Sequence, residues 1–287
     1  MVTAADIREA VSLLDLSGKP VCVHSSLRSF GWVEGGASTV INGLLAEGCT
    51  VLVPTFSDAF GTGPAPGKWI PRNGWDYHAF TGSSGDGPVF TPLSNEIDRG
   101  DMGAIPATVL QMQGRVRGNH PLNSFTAIGP DAHGLVSGQE PMNVYAPLKA
   151  LAEARGLVVL MGVGLTEMTF VHYAEQRAGR NPFIRWANGP NHEAIEVQAG
   201  GCSHGFGKLE EAMGSVMRET TVGSSHWRIF PARESLKLLV SAIQENPSIT
   251  HCGNPDCGRC NDAVEGGPVA TGLDSVVPVV SDVPTIP

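Results

Sequence analysis

The chain has 287 residues, is 41% hydrophobic and 16% charged, and contains 36 Gly. That is ample material for a buried core and unlike a disordered or fibrous composition. A formal charge of −9 argues against a nucleic-acid or anionic-membrane partner and leaves room for a small cationic one. No apolar run approaches transmembrane length. The first residues carry an amphipathic helical pattern, not the basic start and apolar stretch of a secretory signal. Three of the six Cys fall within residues 252–260, which fits a metal site better than disulfides, and a cytoplasmic location is expected.

In chain order, Thr3 and Asp6 have capping-box spacing for a helix to about Leu16. Pro20 to His24 reads as a strand, followed by the hydroxyl-rich loop Ser25-Ser26-Leu27-Arg28-Ser29-Phe30-Gly31. Ser38 is placed to cap a helix to Glu47, Gly48 stops it, and Thr50 to Pro54 is a second buried strand. This is the β-loop-α-β order of a doubly wound sheet. From Asp58 to Arg99, Gly and Pro are frequent and Trp69, Trp75 and Tyr77 lie close together; an irregular stretch of that length is expected to wall or cover a cleft. A helix over Gly103–Met112, a turn at Asn119-His120-Pro121, a strand over Ser124–Ile128 and a helix over Tyr145–Arg155 follow. Leu157 to Met161 is apolar throughout, as in a fully buried strand, and runs through Gly162-Val163-Gly164 into a helix starting at Thr166 or Thr169. A strand over Ala194–Val197, a helix over Gly207–Glu219, a strand over Ser225–Phe230 and a helix over Ala232–Glu245 complete the series. The tail 269–287 has three Pro and no helical period, so loose packing is expected there. With no internal repeat or linker, residues 1–268 are expected to form a single α/β body.

The strand, turn and helix from Leu157 to Gly179 carry the strongest chemical pattern. Ligands of open α/β sheets gather beyond the carboxyl ends of strands, where this helix begins. His172 and Glu175 are three residues apart and share a helix face. A carboxylate beside an imidazole fixes its tautomer and raises its basicity, as a proton-abstracting group requires. A surface His–Glu pair has the same spacing. A zincin-type protease site is excluded, because HxxE lacks the second His of HExxH. The loop after the first strand offers amides, hydroxyls and Arg28 to a pyrophosphate, without matching Walker A or GxGxxG. In Thr250–Ala263, Cys257 and Cys260 have CxxC spacing and His251 lies six residues before Cys257. This is part of a structural zinc site whose remaining ligand is either Cys252 or Cys202.

Seven segments occur in order: VHSSLRSFG (23–31), GGASTVINGLL (35–45), TVLVPTFS (50–57), FTPLSN (90–95), GAIP (103–106), RVRGNHPLNSFTAIGP (115–130) and VVLMGVGLTEMTFVHYAE (158–175). Together they resemble the aminoglycoside 3-N-acetyltransferase family. The resemblance implies an α/β body with a mixed central sheet flanked by helices, distinct from the GNAT fold. It implies an acetyl-CoA-dependent enzyme that acetylates the 3-amino group of aminoglycosides and so confers antibiotic resistance. Ser25, Ser26 and Leu27 would hold the CoA pyrophosphate, with Arg28, Ser29 and Phe30 nearby. Ser94, His120, Ser124 and Phe125 would line the pantetheine path. His172 would act as general base, Glu175 would hold its ring, and Thr55 or Thr169 would stabilise the oxyanion. Transfer would be direct: none of these segments contains a Cys, and Cys22, just before the first, lies inside a strand. Members with the same His-x5-Cys-x2-Cys tail recruit a Cys from the region of Cys202. The implied zinc ligands are therefore Cys202, His251, Cys257 and Cys260, adjacent His251 and Cys252 seldom reaching one ion together.

Two positions depart from the family pattern. Ala107 stands where members usually have Glu, and residues 198–206 contain no acid where some members carry several. Both weaken the aminoglycoside inference, and Asp58 and Asp76 are the expected replacements. The rivals are an acetyltransferase of the same fold acting on another amine, and an inactive binding protein. The expected partner is a small cationic amine, and a homodimer stays open.

Overall fold

The computed structural model describes residues 1–65, 67–75 and 86–269. Asp76, Tyr77 and the tail from residue 270 therefore lie outside the described residues. The strands are β1 (Pro20–Ser25), β2 (Thr50–Pro54), β3 (Gly61–Thr62), β4 (Val116–Arg117), β5 (Phe125–Ile128), β6 (Leu157–Met161), β7 (Phe183–Asn188), β8 (Ala194–Ala199), β9 (Arg218–Val222) and β10 (Ser225–Pro231). Seven form a central sheet in the order β4-β5-β2-β1-β6-β10-β9, and β3-β7-β8 form a second, smaller sheet. β1 runs parallel to β2 and β6, and the outer pairs are antiparallel, so the fold is a mixed α/β sheet flanked by helices.

Alternation along the strands builds two cores. Val21, Val23, Val51, Val53, Val159 and Met161 face helices Ala4–Leu13, Ala37–Ala46 and Ala104–Val109. Cys22, Leu52, Val158 and Leu160 face helices Ala132–Val136, Ala146–Glu153, Phe170–Arg177 and Ala232–Glu245. With both faces covered, the three parallel strands can be apolar at nearly every position. Thr3 and Asp6 form the expected capping box. Among the described residues no helix is long and apolar enough to cross a membrane.

Three local expectations are corrected. Gly36, not Ser38, is the N-cap of the second helix. The helix expected over Gly207–Glu219 is a 3₁₀ turn, Phe206–Leu209, and a short helix, Glu210–Met213. Arg218–Val222 is drawn into the sheet instead, pairing with β10; the Thr-Thr-Val end of that segment suits a pleated strand. Finally, β7 went unrecognised, and part of the long irregular stretch, Gly61–Thr62, pairs with it.

In the β1–β6 register Ser25 lies opposite Met161, so the loop after β1 and the turn after β6 emerge side by side. Gly162 makes this close approach possible: its φ is 68°, and a Cβ there would lie 2.0 Å from Ser29 Oγ. Only glycine fits both conditions.

Candidate active site

After Gly164 the chain makes a 3₁₀ turn, Leu165–Glu167, and enters helix Phe170–Arg177. Phe170, Val171, Tyr173 and Ala174 anchor this helix in the core, which turns His172 and Glu175 toward a narrow pocket that Tyr145, Arg180 and Gly200 also line. His172 Nδ1 lies 2.8 Å from Glu175 Oε2. A carboxylate has no proton to give, so Nδ1–H is the donor, and in the neutral ring the lone pair is on Nε2. The ring is parallel to that of Tyr145, 6.4 Å away at 14°, and edge-on to Phe206 at 4.7 Å. Gly200 lies against it: a Cβ there would come within 3.0 Å of Nε2.

Glu175 is buried. Burial alone would raise its carboxyl, yet the hydrogen bond and charge of His172, the charge of Arg180 and a hydrogen bond from Thr250 hold it below the ordinary carboxylate range. The Tyr145 hydroxyl is pushed well above its usual value by burial and the Glu175 charge. Sequence reasoning missed Arg180, Tyr145, Gly200 and Phe206. Only Arg180 left a signal, a basic residue just beyond a helix end.

At the carboxyl end of β1, Ser25 Oγ is buried without a hydrogen-bond partner and Arg28 is exposed. The Ser26 amide is bound to Met161 O, and Leu27 packs against the core. Two expected ligand residues are committed elsewhere. Ser29 Oγ bonds Ser26 O and Ser225 Oγ, each at 2.7 Å, and Phe30 is a core residue packed edge-on against Trp227.

The pantetheine set also divides. Ser94 is half-buried and accepts from Thr91 N–H at 3.1 Å. His120, Ser124 and Phe125 are wholly buried, so their side chains support the site's walls and do not line them. His120 Nδ1 accepts from Asn123 N–H at 2.9 Å and its Nε2–H donates to Gln198 O at 2.8 Å. Thr55, also buried, bonds Ser124 O and Thr126 Oγ1, which removes it as an oxyanion donor. Thr169, half-buried immediately before the helix, makes no capping bond with its side chain. Arg117, another residue missed in sequence, is buried and holds the 94–96 loop by bonding Ser94 O, Glu96 O and Thr55 O.

Asp58 lies on a separate cleft of about 900 Å³ that Asp86, Leu122 and Asn188 also line. Its carboxyl is raised by burial and by the charges of Asp98 and Asp101, and among the described residues neither Asp58 nor Asp86 forms an ion pair.

The thiols of Cys202, Cys252, Cys257 and Cys260 lie within 4.8 Å of one another. His251 is not among them. Its Nδ1 accepts from Gly253 N–H at 3.0 Å, so Nε2 carries the proton and donates to Asn261 Oδ1 at 2.9 Å. The expected ligand set is therefore corrected at one position: Cys252, not His251, turns inward. A backbone hydrogen bond from Asn254 lowers the Cys252 thiol to about 7, whereas burial raises those of Cys202 and Cys260.

The fold is shared with several solved structures. The YokD protein of Bacillus subtilis is 26% identical with a TM-score of 0.69, over 86% of this chain and 95% of that one. AAC-IIIb, solved as a binary complex with CoASH, superimposes with the same score over 85% and 96% at 22% identity, a likeness of fold. The aminoglycoside 3-N-acetyltransferase family model matches residues 22–244, and the chain belongs to that family. Aminoglycoside N(3)-acetyltransferase VIII of Streptomyces fradiae is 34% identical over 179 residues, 60% of this chain and 59% of that protein. The matched part spans 59–63% of the length of the first curated relatives.

Proposed function

We propose that the protein transfers the acetyl group of acetyl-CoA to the 3-amino group of 2-deoxystreptamine aminoglycosides, with His172 as general base. The observation that carries this reading is the His172–Glu175 bond, which occupies Nδ1 and, in the neutral ring, leaves Nε2 as the acceptor at the pocket. Family membership supports the cosubstrate and the acceptor class. An amine is protonated and non-nucleophilic near neutral pH, so a placed base is the minimum chemistry. The ammonium first releases one proton to solvent; as the neutral amine nitrogen bonds to the thioester carbonyl carbon, its second proton passes to Nε2. The tetrahedral oxyanion, with Thr169 as its donor, collapses with cleavage of the C–S bond. The proton then goes to the departing thiolate, giving the acetamide and CoA. Ser25 and Arg28, with a buried unpartnered hydroxyl and an exposed guanidinium, are the groups best suited to the CoA pyrophosphate.

The unpaired carboxylates of Asp58 and Asp86 support a polycationic acceptor. Ala107 and the acid-free run 198–206 favour the second reading, another amine as substrate. Acetyl-CoA turnover with gentamicin-, kanamycin- and apramycin-type acceptors beside simple primary amines decides between them: acetylation of simple amines alone would overturn the first. Asp58→Asn is expected to raise KM for the antibiotic more than it lowers kcat, because a charge contact made before the transition state acts mainly on binding.

A structural zinc ion is the second part of the proposal. Four thiols within 4.8 Å suit tetrahedral coordination, where Zn–S bonds of about 2.3 Å place sulfurs roughly 3.8 Å apart. Cys202, Cys252, Cys257 and Cys260 would hold the metal, which when bound cross-links residues 252–260 to the segment after β8 and leaves no position for a reactive water.

A further inference from the structure

We propose that Arg180 is a positioning residue that keeps Glu175 a hydrogen-bond acceptor and thereby holds His172 in the Nδ1–H tautomer. The inference rests on His172 being the base and extends to what makes it one. Gly179, with φ of 106°, reverses the chain at the end of helix Phe170–Arg177, and the Arg180 N–H returns to Glu175 O at 3.1 Å. That turn carries the guanidinium back beneath the helix, where Nη1 bonds Glu175 Oε1 and, at 2.7 Å, Thr250 Oγ1. Nη2 bonds Pro247 O. Arg180 is thus pinned by the 3₁₀ turn Pro247–Thr250, 67 to 70 residues away, and is itself buried.

The two carboxylate oxygens are therefore divided, Oε2 to His172 and Oε1 to Arg180. The groups facing Glu175 are His172 on its own helix, Tyr145 from the preceding helix, Thr250 from the 3₁₀ turn, and Arg180. Of these only Arg180 carries a permanent positive charge. A buried carboxylate without such a charge takes up a proton. A neutral carboxyl would donate to Nδ1, the ring proton would move to Nε2, and the pocket would face a donor where acetyl transfer needs an acceptor.

The test is ¹⁵N NMR of histidine-labelled protein beside steady-state kinetics. In the wild type the His172 signals should report protonated Nδ1 and bare Nε2. Arg180→Gln should introduce the Nε2–H tautomer and lower kcat about 10- to 100-fold, the cost of a misaligned catalytic group, with KM for acetyl-CoA unchanged. Arg180→Lys, which keeps the charge, should restore most of both. A folded Arg180→Gln protein with wild-type tautomer and kcat overturns the proposal. Should Arg180→Gln not fold, Thr250→Val, which removes one of the pins, is read in its place: a shift toward Nε2–H supports the proposal and an unchanged pattern overturns it. The tautomer is measured without acetyl transfer. An inactive wild type in which Arg180 nonetheless controls the ring would therefore sink the proposed activity alone.

Discussion

His172 and His120 are both site candidates in the sequence, and the fold gives them opposite parts. His172 stands at a pocket with one ring nitrogen engaged by a carboxylate and the other free of backbone. His120 is wholly buried in the turn before β5, with both nitrogens taken by main-chain groups of its own turn and of β8. One ring opens on a pocket and the other joins two sheets. Proximity to a site does not make an imidazole reactive; a nitrogen left without a main-chain partner does.

The sharpest way to break this contrast is to remove each ring. His172→Ala is expected to lower kcat by about two to four powers of ten, the usual share of general-base catalysis, with little change in melting temperature. His120→Ala should do the reverse, lowering stability while the folded fraction keeps most of its turnover. Turnover per folded molecule after His172→Ala close to the wild type would end the base assignment.

The buried histidines should also be visible in stability against pH. Burial lowers both His24 and His120 from 6.5 to about 4. The unfolded chain therefore takes protons first as pH falls. Their stabilising contribution is complete above about 6.5 and lost progressively toward about 4, on the order of 3 kcal/mol for each. Urea midpoints should begin to fall near pH 6.5, well above the carboxylate range. His24→Leu should flatten that slope, since His24 has only a 3.7 Å contact with Cys22 Sγ to lose. A midpoint constant down to pH 5 would show that these rings do not carry the acid response.

What was legible in the sequence follows the same division. Helix Ala232–Glu245 and strand Leu157–Met161 match their expected ranges, because period and apolar runs are local properties. The His172–Glu175 pair was legible because three residues along a helix fix a shared face. The helix expected over Gly207–Glu219 runs into the start of β9, Arg218–Val222, because only the pairing with β10 settles that boundary and the partner lies beyond a turn. Ser29, Phe30, Thr55 and Ser124 carried the right residue types at the right strand ends. Which of them point inward depends on the strand pleat and on neighbours such as Gly162 and Trp227. Arg180 acts on Glu175 only because a segment about seventy residues later pins it, and no local pattern encodes that.

The smallest expected effect concerns a fourth histidine, His251. His251 and Cys252 are neighbours, and the spacing to Cys257 and Cys260 admits either as a metal ligand. The fold separates them: successive side chains of an extended segment point to opposite sides, and Cys252 has the inner one. Its thiol joins three others, and its N–H lies 3.3 Å from Cys260 Sγ, a contact that would favour a thiolate on a metal. His251 spends both nitrogens on Gly253 and Asn261, exposed bonds of modest worth. His251→Ala should therefore leave bound zinc at one per chain and change stability by no more than about 0.5–1 kcal/mol. Cys252→Ser should lose the metal or bind it far more weakly, and lower the melting temperature by several degrees. Both variants should keep the kcat of the folded enzyme near the wild type, because the closed site offers nothing to substrate. Elemental analysis of the two proteins decides the ligand: zinc retained in Cys252→Ser and lost in His251→Ala would restore the imidazole and overturn the four-thiol assignment.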